Sequence, residues 1–109
     1  MKRLLFPLIA ALAFPIASKA DFFSRSLAVG AQAAAECFSE KGFIKRREIE
    51  SITNETLNDF GIYNVSSWLR TSKAKKAVSI TKRYLDNNCE VDPVYQMELG
   101  EKIVPYVLN

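Results

Sequence analysis

The chain has 109 residues, with 15 lysines and arginines, 12 aspartates and glutamates, and no histidine. This length supports one small domain. The lack of histidine excludes the most frequent general base, the most frequent zinc ligand and the Ser-His and Cys-His nucleophile pairs. The sequence also contains no nucleotide-binding, phosphate-binding or calcium-binding motif. We therefore expect no enzyme activity and no cofactor, with catalysis by carboxylates alone as the remaining alternative.

The first 20 residues have the pattern of a secretory signal peptide. Lys2 and Arg3 precede an apolar run over residues 4–16, and the small residues Ser18 and Ala20 follow at the spacing of a cleavage site. A membrane-spanning helix needs about 20 apolar residues, and this run is shorter. The sequence therefore predicts a leader over residues 1–20, cleaved after Ala20.

Export changes the charge balance of the working protein. Cleavage would remove Lys2, Arg3 and Lys19, which leaves equal numbers of basic and acidic residues in a single predicted domain over residues 21–109. A nucleic-acid partner usually requires a surplus of clustered positive charge, so none is expected. The predicted location is the periplasm or the outside of the cell, with an organelle lumen as an alternative.

Cys37 and Cys89 are the two cysteines of the chain. In an oxidising compartment two cysteines favour one intramolecular disulfide, and a small domain gains much of its stability from such a link. Free thiols, an intermolecular bridge or half of a metal site are the alternatives. Without histidine or a Cys-x-x-Cys motif, no metal site is expected.

Two helices with similar ends are predicted in the first half of the mature chain. The first has apolar residues at helical spacing from Leu27 onward and a cap at Ser24 or Ser26. It should stop near residue 41, where Gly42 is followed by an apolar residue, as in a Schellman motif. The second helix should stop in the same way at Gly61. The short link between them predicts an antiparallel pair.

The second half predicts a short helical turn over residues 65–70, a break capped by Thr71 or Ser72, and a long helix over residues 72–88. Asp92 before Pro93 predicts the start of a last short helix. No stretch shows the alternation of a strand. The predicted fold is all-α, a small helical bundle of three main helices plus short helical pieces, linked by one disulfide.

One face of the long predicted helix is basic. Its members are Lys75, Lys76, Lys82 and Arg83, and the basic residues 45–47 could join them. Such a face could bind an anionic lipid, a glycan or an acidic protein. The simpler interpretation is a solvated helix surface opposite the core. A membrane-surface role is therefore an alternative and not the favoured interpretation.

The C-terminal tail is too apolar to remain in water. Its large apolar residues are Ile103, Val104, Tyr106, Val107 and Leu108. Pro105 argues against a continued helix in this segment. The tail should therefore pack on the protein's own core, or else bind a partner protein or a second copy of the chain.

A leader, a short helical mature chain and two distant cysteines, the second followed by EVDP and another short helix, form a recognisable layout. This layout, with Cys37 and Cys89 in it, resembles the small periplasmic acid-stress chaperones and also some periplasmic immunity proteins. The resemblance covers the layout and the cysteines, and it assigns no functional residues. It implies a domain that works by exposing apolar surface or by plugging a partner.

These observations predict an exported, non-catalytic binding or structural module. The alternatives are a stress-chaperone-like or immunity-like protein acting through apolar surface, and a membrane-surface binder acting through the basic helix face. An unidentified protein partner or self-association is compatible with either apolar or charged surfaces.

Overall fold

The computed structural model describes residues 19–108, with side chains described from Phe22 onward. In this range the α-helices are α1 (Lys19–Glu40), α2 (Ile49–Asp59), α3 (Ser66–Leu69), α4 (Ser72–Lys82) and α5 (Gln96–Val107). The 3₁₀ turns Arg46–Glu48 and Pro93–Tyr95 precede α2 and α5. Apart from an isolated bridge between Leu85 and Val91, residues 19–108 contain no strand pairing. The predicted all-α helical bundle is confirmed.

Residues 1–18 hold most of the predicted signal peptide and lie outside the described residues. The leader and its cleavage site therefore stay predictions. None of the described helices is long and apolar enough to cross a membrane.

Helix α1 lies at the centre of the fold and contacts each of the other four helices. It begins at Lys19, so the prediction that Ser24 or Ser26 caps its start is wrong. Phe22 is fully buried and Ser26 lies buried inside the helix. Neighbouring elements cover α1 on more than one side, and its many alanines combine high helix propensity with small side chains that allow close packing.

Both predicted glycine endings are confirmed. Gly42 and Gly61 have φ angles of 83° and 75°, in the left-handed region that glycine adopts without strain. After each glycine an amide donates back into the helix, from Phe43 to the Phe38 carbonyl and from Ile62 to the Leu57 carbonyl, each at 2.9 Å. These bonds satisfy carbonyls that the helix ends leave without partners.

The break before α4 is confirmed, and its length is corrected. The Thr71 hydroxyl accepts a hydrogen bond from the Ala74 amide at 3.2 Å and so caps α4. The helix ends at Lys82 instead of continuing to residue 88. In the loop that follows, the Asp86 carboxylate accepts from the amides of Asn88 and Glu90. This local hydrogen bonding competes with helix formation.

The last helix is longer than predicted. The Asp92 carboxylate caps the turn that begins at Pro93 by accepting from the Val94 amide at 2.9 Å, as expected. Helix α5 then passes through Pro105 and ends at Val107, so the prediction that Pro105 stops the helix is wrong. Proline in a last turn removes one intrahelical hydrogen bond. The regularly spaced, buried apolar residues of α5 offset that loss.

The buried apolar residues form two clusters, and α1 contributes to both. The large cluster consists of Phe22, Val29, Ala33, Ala34, Ala77, Val78, Val91, Leu99, Ile103 and Val107. The small cluster consists of Leu27, Ala28, Ala31, Leu57, Ile62 and Val65. The large cluster joins α1 to α4 and α5, and the small cluster joins α1 to α2 and the segment before α3.

Helices α1 and α2 are antiparallel, as predicted. Leu57, near the end of α2, packs with Leu27 and Ala31 in the first half of α1. Ile49, at the start of α2, lies in a concavity with Glu36 near the end of α1.

A disulfide links Cys37, near the end of α1, to Cys89, in the loop before α5. The two Cα atoms are 5.8 Å apart, and the predicted intramolecular pairing is confirmed. Cys89 is fully buried and has a φ of 59°, the left-handed conformation of a tight loop. The bond attaches the loop between α4 and α5 to the central helix.

Candidate functional site

A polar concavity of about 470 Å³ opens between α1, the start of α2, α3 and α4. We call it the interhelical groove. Its charged lining residues are Glu36, Glu40, Arg46, Arg47, Glu50, Arg70, Lys75 and Lys82. Its volume lies in the range of small-molecule sites. The groove therefore combines a suitable size with an excess of positive charge.

Lys82 connects the two long walls of the groove. Its ammonium group donates to Glu36 at 3.2 Å and to Glu40, both on α1. The hydrogen bond to Glu40, supported by Glu36, raises the pKa of Lys82 above its ordinary value of 10.5 against the opposing effect of burial. Glu36 also accepts from the Gln32 amide at 2.8 Å. This network holds α4 against α1 and occupies two of the three groove carboxylates.

The third groove carboxylate connects α2 to the segment after α3. Arg70 donates to Glu50 at 3.3 Å, and both side chains are exposed. In a partly buried contact of the same groove, the Ser66 hydroxyl donates to the Asn54 side-chain oxygen at 3.2 Å. These contacts set the position of α3 relative to α2.

Arg46, Arg47 and Lys75 also line the groove, and in the part of the chain that the structure describes none of them forms an ion pair. The two arginines lie on the 3₁₀ turn before α2. The Glu48 side chain accepts from the Lys45 amide at 2.7 Å and stabilises that turn. The turn therefore contributes two arginine side chains to the groove lining.

Thr53 supplies a buried polar group to the groove. It is 1% exposed, and its hydroxyl has no hydrogen-bond partner among residues 19–108. Buried hydroxyls in folded proteins are nearly always hydrogen-bonded. Thr53 is therefore a polar group at the groove that the described residues leave without a hydrogen-bond partner.

The predicted basic face divides between different surroundings. Lys75 and Lys82 line the interhelical groove, and Lys82 is ion-paired there. Arg83 lies in an adjoining concavity of about 380 Å³ that continues along α4. Lys76 is exposed and lines neither concavity. The face is thus less uniform than the helical spacing indicated, and part of it turns toward α1 and α2.

The five apolar tail residues contact the protein's own core. Ile103 and Val107 are fully buried members of the large cluster. Val104, Tyr106 and Leu108 are half-buried and pack against the same cluster. Of the predicted alternatives, packing on the core describes this arrangement, and a partner would meet only the outer edges of α5.

Another surface, at the start of α5, exposes large apolar side chains. Val94 is 79% exposed, Met97 is 69% exposed, and Tyr95 is also exposed. Tyr95 contacts Tyr84 edge to face, with ring centroids 6.1 Å apart. The Tyr84 hydroxyl donates to Glu98 at 2.6 Å, and this bond raises the pKa of Tyr84 to about 12.

No group of three or more potential ligands is placed to hold a metal ion within the described ranges. The groove does gather three glutamates, but each binds Lys82 or Arg70. They therefore act as links between helices. No protein-family model, curated protein or solved structure matches this chain.

Sequence reasoning identified only part of the groove. It singled out Lys75, Lys82 and the basic residues 45–47, of which Arg46 and Arg47 line the groove and Lys45 does not. It did not place Arg70 or Thr53 in a site. Arg70 follows a short helix whose orientation depends on tertiary packing. Thr53 has the pattern of a core residue, and only the fold shows that it borders a cavity.

Proposed function

We propose that this protein is an exported, non-catalytic binding module and that the interhelical groove is its binding site. The observation that carries the proposal is a set of three cations without an ion pair among residues 19–108, Arg46, Arg47 and Lys75, around a cavity of about 470 Å³. The cavity has the volume of a small-molecule site, and a buried hydroxyl, that of Thr53, belongs to its lining residues.

The disulfide supports the exported part of the proposal. Disulfides persist in oxidising compartments and are rare in the cytosol. The pair Cys37 and Cys89 joins the central helix to a loop 52 positions later in the chain. A stable frame of this kind keeps the walls of a small binding site in place.

The non-catalytic part rests on the chemistry of the lining. The groove provides amines, guanidinium groups and ion-paired carboxylates, and the chain has no histidine. A general acid or base must be free to exchange a proton with a substrate. Carboxylates that hold neighbouring helices together through Lys82 and Arg70 are poorly placed for that task.

Heteronuclear NMR with the isotope-labelled, disulfide-bonded protein tests this proposal. The protein would be titrated with fractions of an extract from the compartment of its own cells in which it is found. We expect shifts concentrated at groove amides such as Gln32, Thr53 and Leu69. Shifts confined to Val94, Tyr95 and Met97, or an absence of shifts with every fraction, would contradict the proposal.

A second candidate is a chaperone-like or immunity-like role through apolar surface. It is favoured by the exposure of Val94 and Met97 at the start of α5. Two contacts of the fold also involve carboxylates, Lys82 of α4 with Glu36 of α1 and Tyr84, in the loop after α4, with Glu98 of α5. Acid denaturation acts through carboxylates that are paired in the folded state. This candidate predicts increased binding of a hydrophobic dye as the pH falls from neutral to strongly acidic. Constant dye binding over that range would exclude it.

A further inference from the structure

We infer that the interhelical groove binds a small polar molecule through an oxyanion group, either a carboxylate or a phosphate. The groups that receive it are Arg46, Arg47 and Lys75, with the Thr53 hydroxyl beside them. This inference rests on the proposed function and specifies the chemistry of its ligand.

The charge balance of the groove favours an anion. Its three carboxylates are bound to Lys82 and Arg70, so they are not available to a cationic ligand without breaking those links. The three remaining cations are not compensated by the described chain. A bound oxyanion would supply the missing negative charge.

The arrangement of the two arginines favours an oxyanion over a simple halide ion. A guanidinium group presents parallel N–H donors in a planar fork that matches the two oxygens of a carboxylate or phosphate. Arg46 and Arg47 are adjacent on a 3₁₀ turn that the Lys45 amide and Glu48 stabilise. The turn limits the conformational freedom that binding would otherwise remove.

Thr53 provides an independent indication of a ligand. Its hydroxyl is buried at the groove and has no partner in the described part of the chain. An oxyanion offers acceptor oxygens, and hydrogen bonds to a charged acceptor are stronger than those to a neutral one. An oxyanion that reaches this hydroxyl, which the surrounding atoms cover, would satisfy Thr53 while it pairs with the cations.

The other lining residues indicate the rest of the ligand. Ile49 and Leu69 contribute aliphatic side chains to the groove, and Asn54 and Ser66 contribute polar groups. A cavity of about 470 Å³ suits a small molecule with a short carbon skeleton beside its oxyanion. A free molecule and the head group of an anionic lipid are the two sources of such a ligand, and they share the same phosphate or carboxylate chemistry.

The test combines calorimetry and NMR on the disulfide-bonded chain at low salt. Citrate and inorganic phosphate serve as oxyanion probes, and glycerol and choline serve as neutral and cationic probes. We expect citrate and phosphate to bind saturably and to shift groove amides, with no response to glycerol or choline. Vesicles of phosphatidylglycerol, compared with phosphatidylcholine, separate a lipid head group from a free molecule.

Two matched pairs of variants locate the binding. The double variant Arg46→Gln with Arg47→Gln should weaken citrate binding about tenfold or more. The double variant Lys41→Gln with Lys45→Gln removes the same charge from neighbouring positions outside the groove lining and should leave binding unchanged. Thr53→Val should weaken binding, whereas Ser26→Ala, which removes another buried hydroxyl without a partner, should not. The arginines are exposed, so their variant tests binding even if Thr53→Val perturbs folding.

The outcomes distinguish the inference from the proposed function. Equal weakening by both charge variants would show general attraction of anions and would overturn the inference. Groove shifts with glycerol or choline, but not with citrate, phosphate or anionic vesicles, would also overturn it while leaving a binding groove. Groove shifts with the cell extract, but with none of the oxyanion probes, would likewise overturn the inference while leaving a binding groove.

Discussion

The two sides of α1 are filled in different ways. On one side, the large cluster packs Phe22, Leu99 and Ile103 without exposure, and the disulfide fixes the adjacent loop. On the other side, the small cluster packs α2 against α1, and the groove with charged walls opens between these helices, α3 and the polar face of α4, with Thr53 among its lining residues. We infer that the first side provides most of the stability and that the second side provides room for a ligand.

This difference has a physical basis. Burial of apolar area stabilises a fold in proportion to the area removed from water. A buried hydroxyl without a hydrogen-bond partner costs free energy unless something outside the chain compensates it. Departures from the rules of a well-packed core are expected at functional sites. On the groove side the hydroxyl of Thr53 is such a departure among the described residues.

Removal of the disulfide should cause the largest loss in the free energy of unfolding. Replacing Cys37 and Cys89 by serine releases a loop with a sequence separation of 52, and the chain-entropy estimate is a loss of about 4 kcal/mol. Urea unfolding would measure the loss, and reductant should destabilise the wild type but not the variant. A loss below about 1 kcal/mol would contradict the role given to the disulfide.

Ile103→Ala should cause the next largest loss in the free energy of unfolding. Ile103 is fully buried in the large cluster, and such truncations cost about 3 kcal/mol. Leu57→Ala should cost about 2 kcal/mol, because the small cluster has fewer buried members and Leu57 therefore gives up fewer contacts. Lys102→Ala, on the exposed face of α5, serves as the control. If denaturant unfolding shows a greater loss of stability for Leu57→Ala than for Ile103→Ala, the small cluster contributes more than the large one, which contradicts our account.

Arg25→Gln tests a contact by which α1 connects α3 to the end of α5. The Arg25 guanidinium donates to the Val107 carbonyl at 3.1 Å and lies over the Trp68 ring, 5.1 Å from its centre. Loss of both contacts should reduce the free energy of unfolding by about 1.5 kcal/mol and change the fluorescence of Trp68. Arg83→Gln is the matched control. Equal stabilities of Arg25→Gln and Arg83→Gln would contradict the connecting role of Arg25.

The smallest predicted effect is the loss, at high pH, of the stability that the hydrogen bond of Tyr84 contributes. The hydrogen bond to Glu98 raises the pKa of Tyr84 from 10.0 to about 12. The folded state therefore holds this proton more tightly than the unfolded state, so its contribution to stability is complete below pH 10 and is lost as the pH rises through 12.

Ultraviolet titration of the four tyrosines measures this shift. Glu98→Ala should bring the Tyr84 pKa back toward its ordinary value, whereas Glu101→Ala on the same helix should leave the late titration in place. Simultaneous titration of all four tyrosines in the wild-type protein would contradict the hydrogen bond.

The features of the fold that follow local rules could be predicted from the sequence. Gly42 and Gly61 end helices because they adopt left-handed φ angles, and Thr71 and Asp92 cap the elements that follow them. The disulfide followed from the number of cysteines and the expected compartment. In each case the signal lies within a few residues or in the composition of the chain.

Features that depend on tertiary packing were missed or predicted wrongly. Helix α4 stops early because the Asp86 carboxylate accepts from amides of the loop that follows. Helix α5 continues through Pro105 because Ile103 and Val107, two residues to either side, are buried in the core. In the groove, the basic residues were visible in the sequence, but Glu36 was not recognised as the partner of Lys82. That pairing requires α1 and α4 to be adjacent.

Amide hydrogen exchange of the disulfide-bonded protein, with and without citrate, tests the central claim most directly. We predict the slowest exchange in α1, α4 and α5, faster exchange in α2 and α3, and a slowing by citrate that is concentrated at the groove-lining residues of α2 and the turn before it. Uniform protection across all five helices of the described chain, or a citrate effect confined to α5, would contradict the separation of stability from binding.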